Sequence, residues 1–147
     1  MTGKISIIIP GEARGKQRPR ATRQGRIYTP SETRNQEAFI KYLAAQAMEG
    51  KPPLDGPLHL VMNITVAVPK SFSKRKRAAA LNSEIFPTTK PDLDNTLKLC
   101  ADSFNGVVWG DDKQIVSAFI SKDYGEEART VLIVSPVPSL RGIRLED

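Results

Sequence analysis

Alternation of apolar and polar positions predicts the strands of this chain. A β-branched run over residues 5–9 stops at a Pro-Gly pair, which is typical of a first strand. Over residues 58–66 leucine, methionine, isoleucine and valine alternate with other residues, which predicts a strand with one buried face. His59 falls on the opposite phase, so the single histidine is expected on the solvent side. Segments 114–123 and 128–135 are predicted as two further strands joined in a hairpin.

Apolar residues at helical spacing predict two helices. The first opens at a capping residue, Thr29 or Ser31, and ends at Gly50. Its apolar positions are Ala38, Phe39, Tyr42, Leu43 and Ala47. The second runs from about 94 to 105 and is closed by an Asn-Gly pair. Its apolar stripe consists of Leu93, Leu97, Cys100, Ala101 and Phe104.

The remaining segments are loop-like or short. Residues 11–28 are rich in glycine, arginine and lysine and are expected to form a loop or an irregular hairpin, while residues 70–84 suit a short helix or a mobile arm. The order of the elements predicts an α+β fold, with helices packed on one side of a mixed or antiparallel sheet. A length of 147 residues fits a single domain over 1–147, with 136–147 as a candidate loosely ordered tail.

The composition is that of a globular protein. Hydrophobic residues make up 39% and charged residues 26%, which excludes a collagenous or wholly disordered chain. The lone Cys100 excludes an internal disulfide and a cysteine-rich zinc site, and its place on the apolar stripe makes it a core residue. No apolar run approaches the roughly 18 residues of a membrane span, and the N-terminus does not resemble a signal peptide. We therefore expect a soluble, cytoplasmic protein with no membrane partner.

Positive charge is concentrated in two blocks. Residues 1–34 hold eight Lys/Arg and two Glu, giving +6, and residues 70–90 hold six Lys/Arg and one Glu, giving +5. Residues 91–127 hold three Lys and eight acids, giving −5, in a chain of net charge +6. Basic blocks bind polyanions by neutralising phosphates, whereas an acidic segment such as residues 91–127 would contact a phosphate only through an intervening cation. The alternative is an ordinary basic protein with solvated charge runs.

The acidic segment, residues 91–127, contains the candidate catalytic residues. Asp92 and Asp94 stand two apart on the lead-in to the second helix, where side chains two apart share a face. Lys98 follows Asp94 by four residues, and Asp102 continues the same row one turn further. The Asp111-Asp112 doublet follows a tight turn that can return it towards the helix start. Three or four carboxylates would then converge.

Converging carboxylates repel one another unless their pKa values rise or a cation binds. Hard oxygen ligands without Cys or His favour Mg²⁺ or Mn²⁺ over zinc, and carboxylate-bound Mg²⁺ serves phosphodiester hydrolysis. Lys98 on the same face could contact the scissile phosphate. The alternative assigns Asp92 or Asp94 to helix capping, Lys98 to an i,i+4 ion pair and the doublet to a turn. Spacing alone leaves both interpretations open.

The same stretch resembles the signature of the RusA family of Holliday-junction resolvases. Residues 90–116 read K-P-D-L-D-N-T-L-K-L-C-A-D-S-F-N-G-V-V-W-G-D-D-K-Q-I-V. The family signature runs roughly P-D-x-D-N-x-x-K, then D-x-L-N-G, then D-D-x-Q-V, and here Phe104 replaces the usual leucine and Ile115 a common valine. Upstream, G-K-Q-R-P-R and Y-T-P-S-E-T-R-N-Q-E also resemble the family's N-terminal pattern. The resemblance spans most of residues 5–134.

The resemblance implies a Mg²⁺-dependent endonuclease, with Mn²⁺ able to substitute, that acts as a homodimer. Each protomer would nick one of two opposed strands at a four-way DNA junction, in recombination and repair. By position, the resemblance implies that Asp92, Asp94 and Asp112 bind metal and that Lys98 is the catalytic lysine, with Asp111 ranked lower. A four-way junction has near two-fold symmetry, which matches a C₂ dimer.

Cations of the two basic blocks are the candidates for binding backbone phosphates, although each one alone could equally be solvated. They are Arg14, Lys16, Arg18, Arg20, Arg23 and Arg26 in the first block and Lys74, Arg75, Lys76 and Arg77 in the second. Trp109, beside the Gly-Asp-Asp turn, is expected to pack in the interior rather than to stack on bases.

Two other functions are compatible with these patterns. A non-catalytic nucleic-acid-binding accessory protein would need the cations but not the grouped aspartates. A metal-dependent nuclease of another specificity, for flaps or RNA, would use both. No nucleotide cofactor is expected, because residues 11–16 are one residue short of a phosphate-binding loop and Gln17 replaces the Ser/Thr that holds Mg²⁺.

Overall fold

Four of the six strands hydrogen-bond into one mixed sheet in the computed structural model, which describes residues 3–14, 20–28 and 31–137. The strands are β1 (Ile5–Pro10), β2 (Arg20–Ala21), β3 (Ile27–Tyr28), β4 (Leu58–Ala67), β5 (Ile115–Gly125) and β6 (Arg129–Pro136). Among the described residues the helices are α1 (Ser31–Met48), α2 (Lys74–Leu81) and α3 (Leu93–Phe104), and a 3₁₀ turn covers Asp112–Gln114. The α+β class predicted from the sequence is confirmed.

The sheet has the strand order β1-β6-β4-β5. Strand β5 runs parallel to β4, while β6 runs antiparallel to both β4 and β1. The predicted hairpin of β5 and β6 is therefore wrong, because β4 lies between the two strands. Their connection crosses the end of β4, where the Val68 N–H donates to the Gly125 carbonyl at 3.0 Å. A short polar connection fits a hairpin and this crossing equally well, so only the sheet decides between them.

One face of this sheet forms the core, because alternate residues of β1, β4 and β6 are mostly apolar and point to that side. The buried side chains are Ile5, Ile7 and Ile9 on β1, Leu58, Leu60, Met62 and Ile64 on β4, and Leu132 and Val134 on β6. His59 lies on the opposite face, as predicted, and its Nδ1 shares a hydrogen bond with the Ser117 hydroxyl at 2.7 Å. The alternation along β4 therefore fixed both the strand and its buried face.

Helix α1 confirms only part of the predicted apolar row: Leu43 and Ala47 pack partly buried against the core, but the fully buried residues belong to a neighbouring row. Ile40, Ala44 and Met48 are buried, whereas Phe39 and Tyr42 are exposed. Both rows recur at helical spacing, so periodicity alone does not choose between them. The packing of α1 against both β1 and α3 decides which of the two rows is fully buried.

The two basic segments form different secondary structures. In the first, β2 and β3 form a two-residue ladder, in agreement with an irregular hairpin. In the second, residues 74–81 are helical, and the Ser73 hydroxyl caps the helix by accepting from the Lys76 N–H at 3.2 Å. Most of the candidate tail, residues 138–147, lies outside the described residues. No described helix has the length and apolarity that crossing a membrane requires.

Helix α3 packs its apolar side into the core. Leu99, Cys100, Ala101 and Phe104 are buried, together with Thr96 and Ser103, whereas the predicted stripe residues Leu93 and Leu97 are half-buried at its margin. Loss of hydration on burial raises the pKa of the Cys100 thiol to about 12. The thiol therefore stays protonated, as expected of a core residue rather than a nucleophile.

Trp109 holds the turn that follows α3. Its side chain is fully buried and packs edge-on against Phe104, with 5.3 Å between the ring centroids. The indole Nε1 donates to the Asn105 side-chain oxygen at 2.7 Å. Gly106, at a φ of 80°, reverses the chain, and its N–H donates to the Trp109 carbonyl at 2.7 Å. The turn is thereby fixed against the C-terminal end of α3.

Replacing Trp109 by alanine should lower the free energy of unfolding by about 3–5 kcal/mol, because it leaves a large cavity and removes the indole hydrogen bond. Urea denaturation followed by circular dichroism measures the change. Phe86→Ala is the matched control, since Phe86 is 56% exposed and its loss should change the value by no more than about 0.5 kcal/mol. Equal losses for the two variants would contradict the anchoring role of Trp109.

Candidate active site

Two of the predicted carboxylates and the predicted lysine occupy the first two turns of α3. Asp92 is the N-cap residue, and its Oδ2 accepts from the Asn95 side-chain amide at 3.2 Å rather than from a backbone N–H of the first turn. Asp94 lies in the first turn and Lys98 one turn later, and all three side chains are exposed. The partial positive charge at the helix N-terminus favours carboxylates at this position. The alternative of a side-chain cap does not describe Asp92.

Lys122 on β5 holds the segment that leads into this helix. Its ammonium donates to the carbonyl of Thr89 at 2.7 Å and to that of Pro91 at 3.0 Å. The second carbonyl immediately precedes Asp92, so the lysine fixes the backbone from which the first carboxylate projects. The C-terminal half of β5 therefore lies beside the N-terminal end of α3.

The aspartate doublet lies at the other end of α3. Asp111 caps the 3₁₀ turn, and its Oδ1 accepts from the Lys113 N–H at 2.9 Å. Gln114 closes the turn by accepting from the Gly110 and Asp111 N–H groups at 3.0 and 3.1 Å. Its amide donates to the Leu54 and Gly56 carbonyls at 2.9 and 3.0 Å, which ties the doublet to the segment before β4.

Asp112 is surrounded by other polar side chains. Loss of hydration, the neighbouring Asp111 and the charge of Asp102 raise the pKa of Asp112 above its ordinary value, and a hydrogen bond from Asn105 opposes the rise. Since Trp109 donates to Asn105, a chain of hydrogen bonds links the buried indole to the Asp112 carboxylate. This chain orients the carboxylate on a rigid support.

The expected convergence of three or four carboxylates does not occur within the described part of one chain. The charge of Asp102, on the last turns of α3, acts on Asp112, and the ten residues from Asp92 to Asp102 rise about 15 Å along a helix, so α3 separates Asp112 from Asp92. In the described ranges no three His, Cys, Asp or Glu side chains lie together so as to hold a metal ion. The turn stays at the helix C-terminus because Trp109 is buried there instead of returning along the helix.

The donor set therefore fits a hard divalent cation in chemistry but not in position. Carboxylate oxygens are the ligands that Mg²⁺ prefers, at 2.0–2.1 Å from the ion, which places ligands of one ion within a few ångströms of each other. Asp92 and Asp94 both lie at the start of α3, whereas Asp112 lies beyond the C-terminal end of the helix.

The cations of the second basic block project from α2 beside the end of β5. All four side chains are exposed, Arg77 lies 4.0 Å from Glu126, and Lys76 sits 4.1 Å from the centre of the Phe72 ring. Phe72 in turn packs against Tyr124 on β5. This basic patch, defined as residues 74–77, is therefore held beside the C-terminal end of β5.

The first basic block is described only in part. Arg14, Arg23 and Arg26 are exposed. Lys16 and Arg18 lie outside the described residues, and so does the side chain of Arg20.

The sequence analysis did not predict the positioning roles of Lys122, Asn105 and Gln114. Lys122 was indicated only as a strand residue, and Asn105 only as the end of a helix. The N-G and D-D-x-Q parts of the motif were the available signal for the last two.

Asp111→Asn should lower the pKa of Asp112 towards its ordinary value, because it removes the nearest negative charge while asparagine can still cap the turn. Carboxyl ¹³C NMR titration measures the shift, with Asp55→Asn as a control that should leave it unchanged. With a raised pKa in the folded state, the stability contributed by Asp112 is full below its unfolded pKa and is lost as pH rises through the folded value. The variant should weaken that dependence, and an unchanged Asp112 titration would contradict the arrangement.

Lys122→Met should lower the free energy of unfolding by about 1 kcal/mol, because two carbonyl groups lose a charged donor. It should also speed amide exchange in the first turn of α3, measured by hydrogen exchange with mass spectrometry. Lys113→Met, on the exposed 3₁₀ turn, is the matched control. Unaltered exchange at the start of α3 would show that Lys122 does not hold this segment.

Comparison with known proteins finds relatives over most of the chain. The family model described as Endodeoxyribonuclease RusA matches residues 10–135, which includes both ends of α3 and all four strands of the sheet at least in part. The chain is also 32% identical over 138 residues to the uncharacterized protein YqaN of Bacillus subtilis (strain 168), an alignment covering 90% of this chain and 96% of that one. This chain belongs to the RusA endodeoxyribonuclease family.

Proposed function

We propose that this chain is a metal-dependent endonuclease that resolves four-way DNA junctions by nicking two opposed strands. The observation that carries the proposal is family membership over residues 10–135, joined to two exposed carboxylates and a lysine at the start of α3. Family membership supports hydrolysis of a DNA backbone. The exposed position of Asp92, Asp94 and Lys98 leaves them accessible to a phosphate.

The proposed cofactor is Mg²⁺, with Mn²⁺ as a substitute. Carboxylate oxygens favour these hard cations, and the candidate site residues include no His or Cys that would favour zinc. Such a cation lowers the pKa of bound water and screens phosphate charge. The proposed ligands are Asp92, Asp94 and Asp112, and the support for them is their donor chemistry together with the family signature.

Lys98 is the proposed catalytic lysine. In hydrolysis a water oxygen bonds to phosphorus while one P–O ester bond breaks, and negative charge builds on the phosphate oxygens. An ammonium group one turn after Asp94, on an exposed helix face, can approach those oxygens and stabilise that charge. Since α3 is packed firmly on its other side, Lys98 is presented from a rigid support.

Branched DNA is the proposed partner, and the chain is proposed to act as a homodimer. Exposed cations on residues 74–77 and at Arg14, Arg23 and Arg26 can neutralise backbone phosphates. With a net charge of +6 per chain, a dimer would carry twice that charge. Two sites related by a two-fold axis suit the near two-fold symmetry of a four-way junction, which accounts for paired nicks.

Asp94→Asn should abolish Mg²⁺-dependent cleavage of a labelled four-way junction while leaving junction binding intact or tighter, because it removes a negative charge near the phosphate. Gel-shift and cleavage assays at one salt concentration measure the two properties. Asp55→Asn, an exposed aspartate before β4, is the matched control and should cleave like the wild type. Wild-type nicking by the Asp94 variant would refute the assignment.

A substrate panel separates the rival functions. A four-way junction, a flap, a duplex and a hairpin RNA are each incubated with and without Mg²⁺. The proposal requires metal-dependent product from the junction in preference to the others. Binding without any product would favour an accessory protein, and preferential cleavage of the flap or the RNA would favour a nuclease of another specificity.

A further inference from the structure

Thr96 carries a buried hydroxyl on α3 that has no hydrogen-bond partner in the described part of the chain. Its side chain is only 2% exposed, and its Oγ1 atom bonds to no donor or acceptor there. Ser103, the other buried hydroxyl of this helix, donates to the Leu99 carbonyl at 2.6 Å. Burying an unpaired hydroxyl is unfavourable, because its hydrogen bonds to water are lost and not replaced. The Thr96 hydroxyl therefore calls for a partner other than the described side chains.

Thr96 lines a small pocket between the end of β1, helix α1 and helix α3. The pocket has a volume of about 10 Å³, which is roughly the space that one water molecule requires. A nucleotide base or a hydrated metal ion is too large for it. Cys100 also lines the pocket, and burial raises the pKa of its thiol to about 12, so no thiolate is present to bind a metal ion.

Polar side chains from three elements meet at this pocket. Thr96 lies on α3, Thr130 on β6 and Gln36 on α1. Thr130 is 2% exposed, and Gln36 is half-buried. A buried water molecule typically makes about three hydrogen bonds to groups of this kind. Because hydroxyl and amide side chains can both donate and accept, all three can bond to the same water.

The pocket lies on the buried side of the turns that carry Asp94 and Lys98. Thr96 stands two residues from each of them, and two residues correspond to a rotation of about 200° around a helix. The candidate carboxylate and ammonium therefore project from one side of these turns and the Thr96 hydroxyl from nearly the opposite side. A bond from Thr96 to the sheet and to α1 would hold these turns from their buried side.

We infer that this pocket binds one water molecule, which bridges the Thr96 hydroxyl to Thr130 and Gln36 and so joins α3 to β6 and α1. The bridge gives the orphaned hydroxyl a partner and uses the polar lining of a pocket that otherwise has apolar walls. The inference goes beyond the proposed function, because the water site belongs to the fold and does not depend on the substrate.

Thr96→Val tests the water site by the sign of its effect on stability, because valine keeps the shape of threonine and removes the hydroxyl. With a bound water, the variant loses a hydrogen bond and leaves the water with fewer partners, so the equilibrium constant for unfolding should rise about five-fold. Without a bound water, valine relieves an unpaired buried hydroxyl, and the same constant should fall. Urea denaturation followed by circular dichroism measures it. Thr88→Val, at an exposed threonine before α3, is the matched control and should leave the constant unchanged. A fall or no change in Thr96→Val would overturn the inference.

A double-mutant cycle with Thr130→Val tests whether the two hydroxyls share one water. If they do, the second substitution costs less once the first has been made. The unfolding constant of the double variant should then rise by at least about two-fold less than the product of the two single rises. A double variant whose rise equals that product would overturn the shared bridge.

Crystallography of the full-length wild-type protein gives a readout that does not depend on the folding of any variant. Electron density should show one ordered water about 2.8 Å from the Thr96 Oγ1 atom. Crystals of Thr96→Val, where they form, should show no water at this position. Density for a side chain in the pocket, such as one from residues 15–19, or a pocket without density in the wild-type protein would overturn the inference.

Discussion

The burial of one side of α3 is the constraint on which the rest of this structure depends. Leu99, Cys100 and Phe104 pack this side against the sheet, and Trp109 continues the packing beyond the helix end. Because the interior is close-packed, the helix can neither rotate nor slide without opening a cavity. Every charged side chain on the exposed side of α3 therefore has a fixed position relative to the sheet. The length of the helix keeps the carboxylates at its two ends apart.

The charge distribution follows from the same constraint. A basic chain carries several of its aspartates on α3 and the following turn, and Lys122 on β5 lies beside the start of that helix. Lys122 bonds to backbone carbonyls beside Asp92 and so brings a positive charge close to this carboxylate. At the opposite end the aspartates raise the pKa of Asp112, with only an Asn105 hydrogen bond to oppose them. The two ends of α3 are therefore electrostatically different.

The candidate site residues could be predicted from the sequence because the motif of residues 90–116 is local. Asp94 and Lys98 stand four apart on the helix, and helical spacing is enough to predict that they share a face, with Asp92 at the N-cap just before them. The residues that hold them in place could not be predicted, because Lys122 donates hydrogen bonds to Thr89 and Pro91, which lie more than 30 positions earlier in the sequence. A contact of that range depends on the strand order, which no local pattern encodes.

Local periodicity by itself determined the strands β1 and β4, the limits of α3, the core position of Cys100 and the α+β class, because each depends on the next few residues alone. The tertiary structure decided which side of α1 is buried, the placement of β4 between β5 and β6, and the position of Asp112. These outcomes are set by competition among distant surfaces for burial. The turn of residues 105–112 could equally have folded back along α3, and the burial of Trp109 against Phe104 fixed it at the other end.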